Sequence, residues 1–301
     1  MKTPLHHIHA NLREQVDWTV DRRIAALRQE RFVEHRRLHA VIAETEFLMD
    51  SPRRTRAAGL IVSAPQGSGK TMLAQVIEHR HGAKPAMAPD GRRTHRAVCI
   101  SMTNARDART LYNRVLDRLG APVTASARYS ERERQLIRLF KQFGTDLLVV
   151  DELQDILTST PRQQRLALDA IKYLMNEAGL PVLALGIAKA SEALLIDRHL
   201  ATRFRALTLP VWTYDDDLRD FLNALEPLIP LRHPSNLSSP TVMKSLVDAS
   251  HGVLLTLCQL IEHAAIYAVL DGKERIDATL IKRAAAQAPA VAARQAKGGS
   301  A

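Results

Sequence analysis

The chain has 301 residues, 46% of them hydrophobic and 25% charged, with a formal net charge of +10. That composition excludes wholesale disorder, collagen-like repeats and a cysteine-stapled secreted scaffold, and the length suits one large or two modest domains. With Cys99 and Cys258 as the only cysteines, no run near the roughly 18 apolar residues of a membrane helix and no signal-peptide core after Met1–His7, a reducing cytosol is the expectation.

In chain order, residues 12–49 read as helix, with Leu38, Val41, Ile42, Thr45, Leu48 and Met49 recurring at three- and four-residue steps until Ser51-Pro52 stops them. His6, His7 and His9 ahead of it read as a tail rather than a metal site. Residues 59–63 are a short apolar run and predict a buried strand. Residues 70–80 predict a helix, and 82–96, with Pro85, Pro89 and Gly91, a polar loop. Strands are expected at 97–101, 146–150 and 181–185, with a fifth at 208–211. Helices are expected at 105–119, 130–143 and 163–178. After Trp212 the pattern predicts helices only, at 215–225, 240–249, 253–271 and 277–287. Residues 289–301 are Ala/Gly-rich and predict a disordered tail. Alternating strands and helices followed by helices alone predict an α/β fold: a parallel sheet between helices, then a small all-helical domain. The expected division is an N-terminal helical arm (1–50), a core built on the sheet (51–211), a helical lid (212–288) and the tail.

Between strand 59–63 and helix 70–80 stands Ala64-Pro65-Gln66-Gly67-Ser68-Gly69-Lys70-Thr71, a Walker A phosphate loop with Ala64 in place of its first glycine. Gly67 and Gly69 let backbone N–H groups turn inward as an anion nest, and the following helix adds its N-terminal dipole. Pro65 to Met72 are the residues expected to hold ATP. Lys70 is placed on the β- and γ-phosphates, and the Thr71 hydroxyl on Mg2+. The run 146–150 ends in Asp151-Glu152, a Walker B pattern. Asp151 is expected to hold the metal with Thr71, and Glu152 to orient the attacking water.

These motifs give the chain a resemblance to the AAA+ ATPases. More closely, it resembles the TniB family of transposition regulators, related to TnsC and MuB. Further carriers are the lead-in Ser51-Pro52-Arg53-Arg54-Thr55-Arg56, the block Thr110–Pro122, Leu148–Asp155, Leu183–Gly186 and Leu200-Ala201-Thr202-Arg203-Phe204. The resemblance implies an AAA+ core with a helical lid in a protein of the bacterial cytosol or nucleoid. It implies ATP-dependent assembly as a ring or helical filament on double-stranded DNA, without sequence preference, and recruitment or stimulation of a transposase. Arg203 matches the arginine finger that reaches a neighbour's γ-phosphate, with Arg198 and Arg205 as rivals. The polar sensor residue expected after the fourth strand is missing, since Gly186 is followed by Ile187 and Ala188. A lid arginine is missing at Gly252–Thr256. Slow hydrolysis, with ATP as an assembly switch, follows as the expectation. A helicase-loader type of ATPase and a non-hydrolysing nucleotide-dependent scaffold are the alternatives.

Positive charge is concentrated in residues 59–150, which hold 15 Lys and Arg against 7 Asp and Glu. Such a field attracts phosphate backbones. Arg106, Arg109 and Arg114, on the helix after the second strand, and Thr103 and Asn104 just ahead of it are the candidate DNA contacts.

Overall fold

The computed structural model describes residues 5–52, 56–87, 93–105, 107–123 and 126–288. Arg106, the middle of the basic lead-in and the expected tail at 289–301 lie outside the described residues. A 3-10 stretch at Ala10–Asp17 precedes helices α1 (Val20–Leu27) and α2 (Arg36–Asp50). Then come β1 (Gly59–Ser63), α3 (Lys70–His81), β2 (Ala83–Met87), β3 (Arg93–His95), β4 (Ala97–Ser101), α4 (Ala108–Arg118) and α5 (Tyr129–Phe143). They are followed by β5 (Leu147–Asp151), a 3-10 turn at Leu153–Thr158, α6 (Pro161–Glu177), β6 (Val182–Gly186), α7 (Ala188–Leu195), α8 (Arg198–Ala201) and β7 (Phe204–Thr208). Helices α9 (Asp216–Leu225), α10 (Pro240–Ser250), α11 (Leu254–Leu270) and α12 (Ala278–Ala286) complete the chain. None of the described helices is long and apolar enough to cross a membrane.

Two compact units divide the chain: residues 37–210 form one, and residues 1–36 with 211–301 form the other. The first is built on a five-stranded sheet in the order β4-β5-β6-β1-β7, parallel throughout. β1, β5 and β6 are buried along their whole length, which is why they read as unbroken apolar runs rather than alternating ones. Side chains still alternate between faces. Ile61, Val98, Ile100, Leu148, Val150 and Ala184 pack with α4, α5 and α6 on one side. Leu60, Val62, Cys99, Val149, Leu183 and Leu185 pack with α2 and α3 on the other. The register aligns Ser63 with Gly186 and Ser101 with Asp151, so the carboxyl ends of the strands share one edge. Ligands bind at that edge in open parallel sheets.

Four expectations need correction. The predicted helix 12–49 is three pieces. At the end of α1, Arg31 donates from Nη1 to the Leu27 carbonyl (2.7 Å) and from Nη2 to that of Ala26 (2.8 Å), so a guanidinium takes up carbonyls of the last turn that a continued helix would use. The polar loop 82–96 contains an antiparallel hairpin, β2 with β3, whose register shifts between Lys84 and Met87. Pro85 falls in that irregularity, where its missing N–H breaks no ladder bond. The fifth strand lies at 204–208 rather than 208–211, because Phe204 packs against Gly59 while Arg205 and Ala206 stay exposed. That edge strand lacks the apolar run that marks its neighbours. The histidines of the N-terminus are not a loose tail: Ile8 is buried, His9 N–H donates to the Pro227 carbonyl, and His7 Nε2 lies 3.0 Å from the Leu231 carbonyl oxygen.

The second unit is a helical cluster around Trp212, Leu218, Leu222, Leu246, Leu257, Ala264 and Ile281, with Ile24 and Leu27 of α1 in the same core. Residues 1–36 thus belong to the helices that end the chain. The stretch expected as one N-terminal arm is shared between the two units.

Candidate functional site

The loop from Ala64 to Thr71 joins β1 to α3 at the carboxyl edge of the sheet. Ala64 is buried, and its N–H donates to the Gly186 carbonyl at 3.0 Å, so the loop begins as a continuation of strand pairing. Its backbone is not left-handed, which is why alanine serves where a glycine is usual. Gly67 (φ 75°) and Gly69 (φ 85°) are left-handed, where a side chain would be strained. No side chain caps α3, whose first turn follows the loop directly, leaving its N–H groups for an anion. Pro65, Gln66 and Thr71 are exposed, while Gly67, Ser68, Gly69 and Met72 are half-buried. Lys70 is buried, with Nζ donating to the carbonyls of Ala64 (3.0 Å) and Pro65 (2.9 Å). Burial holds its ammonium below the usual lysine range, and the carboxylates of Glu152 and Asp151 work against that.

The two acids at the end of β5 diverge. Asp151 is buried. Its Oδ2 accepts the Thr71 hydroxyl at 2.9 Å, and its Oδ1 accepts the Glu152 N–H at 2.9 Å. Thr71 and Asp151 are the pair expected to share a metal, and the fold brings them together from the two motifs. Their oxygens suit a hard divalent cation such as Mg2+. Glu152 is left-handed (φ 55°), and its carboxylate accepts from Gln154 Nε2. Gln154 also accepts, at Oε1, the backbone N–H of Ile187 at 3.2 Å. Sequence reasoning missed Gln154, because its relevance depends on a backbone turn that no motif encodes.

Arg203 lies at the opposite end of the sheet. Its carbonyl accepts the Gly59 N–H at 3.0 Å, where β1 begins, and Nη1 donates to Asn176 Oδ1 at 2.6 Å. A strand of this length separates it from its own phosphate loop by roughly 16 Å. Of its rivals, Arg205 is paired with Glu44 at 2.7 Å, whereas Arg198 is exposed on α8 and has no partner among the described residues.

The candidate DNA contacts divide in the same way. Thr103 and Asn104 are exposed just past β4, with the Asn104 N–H donating to Asp155 Oδ2 at 3.0 Å. Arg109 is exposed on the first turn of α4, 5.7 Å from the Tyr129 ring. Arg114 is turned inward: Nη2 donates to the Thr103 carbonyl at 2.8 Å and Nη1 to that of Ser101. With Ile100, Asp117 and Arg118 it lines a cavity of about 380 Å³. Arg118 pairs with Glu78 at 3.2 Å. The expected basic stripe is therefore not a row of free guanidinium groups, since Arg114 braces the end of β4.

The fold is that of an AAA+ P-loop core followed by helices, with a phosphate-loop sequence at the carboxyl edge of its sheet. The family described as "Bacterial TniB protein" matches residues 23–214, and the chain belongs to it. Among curated proteins none matches. Among solved structures, the chain is similar to the ORC2 protein of Aeropyrum pernix in its ADPNP–ADP complexes (15% identity, TM-score 0.64, covering 91% of this chain and 74% of that one). It is similar also to the ORC1 protein of the same organism in complex with DNA (16%, 0.62, 87% and 68%). The Pyrobaculum aerophilum Cdc6p crystal structure is a third (13%, 0.62, 92% and 74%). At these identities the likeness is one of fold.

Proposed function

We propose that this TniB-family chain binds Mg·ATP in the 64–71 loop, self-associates head to tail on double-stranded DNA in that state, and recruits or activates a transposase. The observation that carries the reading is the meeting of Thr71 and Asp151 at 2.9 Å beside a buried lysine and two left-handed glycines. Lys70 would exchange its two carbonyl partners for the β- and γ-phosphates, while Thr71 and Asp151 would hold the metal. Bound Mg2+ supplies charge neutralisation to the phosphates. Glu152 would orient the attacking water and take its proton. Arg203, too far from its own loop, suits a neighbour's site, which makes the subunit contact heterologous and the assembly a ring or filament. Thr103, Asn104 and Arg109, with Arg106, are proposed to face the phosphate backbone, positioning the protein without reading sequence, while Arg114 serves that surface by holding the Ser101 and Thr103 carbonyls. The helical unit is proposed as the lid, and the cytosol as the location. With no arginine at Gly252–Thr256, where the lid helix begins, hydrolysis is proposed to be slow, with ATP serving chiefly to switch assembly.

The test is sedimentation and negative-stain imaging of the full chain with a non-hydrolysable ATP analogue, with and without duplex DNA. Wild type should form large assemblies only with the analogue, and Lys70→Ala should stay dispersed. Equal assembly by Lys70→Ala would end this reading. Phosphate release with ATP and DNA separates it from the non-hydrolysing scaffold, which would show none.

A further inference from the structure

Gly186 and Ile187, at the end of β6, carry no polar side chain, yet that position is not without a polar contact. Gln154 reaches it from the turn after β5. Its Oε1 accepts the Ile187 N–H at 3.2 Å, and its Nε2 donates to the Glu152 carboxylate. The orientation of the amide follows from its partners, because the reverse would set oxygen against oxygen and nitrogen against nitrogen. Both ends are anchored. Gln154 stands between Leu153 and Ile156, which are fully buried, and Ile187 is the N-cap residue of α7. Gly186 belongs to the same arrangement, since a Cβ there would stand 2.5 Å from Gln154 Oε1. The Ala190 Cβ would stand equally close, so glycine at 186 leaves the room that this amide and α7 both occupy.

We infer that Gln154 is the positioning residue of Glu152: it fixes the carboxylate relative to the end of β6, doing from the turn after β5 what a polar side chain on β6 would do. This rests on the proposed role of Glu152 in orienting the attacking water. A glutamate has three rotatable side-chain bonds, and the donor on Gln154 selects one placement of its oxygens. Misplacement of a reacting group by about 1 Å costs on the order of a hundredfold in rate. The contact touches Glu152 and not the phosphate loop, so it bears on turnover and not on nucleotide affinity.

The experiment measures nucleotide affinity, KM and single-turnover hydrolysis with duplex DNA for the full-length wild type, Gln154→Glu, Gln154→Met and Glu152→Gln. Gln154→Glu keeps an oxygen facing the Ile187 N–H but removes the donor and sets a second carboxylate against Glu152. Gln154→Met keeps the volume and loses both contacts. Both should bind nucleotide within about threefold of wild type, keep its KM and hydrolyse at least about tenfold more slowly. Hydrogen exchange at the Ile187 amide should stay slow in Gln154→Glu and quicken in Gln154→Met. Wild-type turnover in Gln154→Glu would reduce Gln154 to a structural anchor and overturn the inference. So would a loss of nucleotide binding in either variant. If wild type releases no phosphate, or Glu152→Gln turns over as wild type does, the reading of Glu152 falls and takes this inference with it. If Glu152→Gln is silent while both Gln154 variants are normal, the inference falls alone.

Discussion

Thr71 and Asp151 lie 80 positions apart in sequence and 2.9 Å apart in the fold. Asp151 is buried and spends one oxygen on the Glu152 N–H, which leaves Oδ2 for Thr71 and for whatever cation the hydroxyl shares with it. Replacing Thr71 with Ala removes one oxygen from that pair and leaves the loop glycines and Lys70 untouched. Nucleotide binding titrated with Mg2+ should therefore need about 10–100-fold more metal, while binding measured in EDTA should hardly change. Equal losses with and without metal would take Thr71 out of the cation site. The two halves of this geometry were legible beforehand because each is contiguous: a loop read by its glycines and a strand read by its terminal acids. Gln154 was not legible, because its partners Glu152 and Ile187 stand two and 33 positions away, and only the left-handed backbone at Glu152 brings them within its reach.

Among the elements, the buried strands were the most readable and the short or irregular pieces the least. Short apolar runs, Leu60–Val62, Leu147–Val150 and Val182–Leu185, announce β1, β5 and β6. In contrast, β7 is half-exposed, and the end of α1 is met by Arg31, whose carbonyl partners a sequence does not display. A similar tertiary tie joins α1 to the turn between α11 and α12. The Arg23 guanidinium grips both Glu274 oxygens at 2.7 Å, adds the Pro230 carbonyl, and stays buried; the Arg232 N–H also donates to Glu274. Burial alone would raise the Glu274 carboxyl above the usual range, but the Arg23 hydrogen bonds and charge and the Arg232 amide outweigh it, so the net displacement is downward. The folded unit then binds this proton less readily than the unfolded chain does. Its contribution to stability is complete above the ordinary glutamate range and is lost as pH falls through the depressed folded value. Arg23→Met, which strands the carboxylate, should cost about 3–5 kcal/mol at neutral pH. Glu274→Gln should melt earlier than wild type at neutral pH and approach it in acid. Parallel melting curves across the acidic range would remove the pair as a source of acid lability.

Across the whole molecule, a sequence shows composition more readily than it shows which pieces fold together. Strands give way to helices near residue 211, a change of pattern that a sequence displays. The boundary after residue 36 was not legible, because helical periodicity runs through both sides of it and only contacts such as Arg23 with Glu274 assign the first 36 residues to the later helices. Assembly is the property of the whole chain that Arg203 puts at stake. Its guanidinium is held on Asn176 at the amino edge of the sheet and the phosphate loop stands at the carboxyl edge, so in the proposed scheme Arg203 serves a neighbour's site rather than its own. Arg203→Ala keeps Glu152 and loses the finger, whereas Glu152→Gln keeps the finger and loses the base. Each alone should release phosphate at least about a hundredfold more slowly than wild type, given what a finger contributes. Mixed one to one on DNA, random head-to-tail contacts pair an intact base with an intact finger at about a quarter of the sites, so about a quarter of wild-type turnover should return. Arg198→Ala and Arg205→Ala, run in parallel, should turn over unaided, because Arg205 is bound to Glu44 and Arg198 caps no phosphate in this scheme. A mixture no faster than its components, or a silent Arg198→Ala that Glu152→Gln rescues, would move the finger away from Arg203.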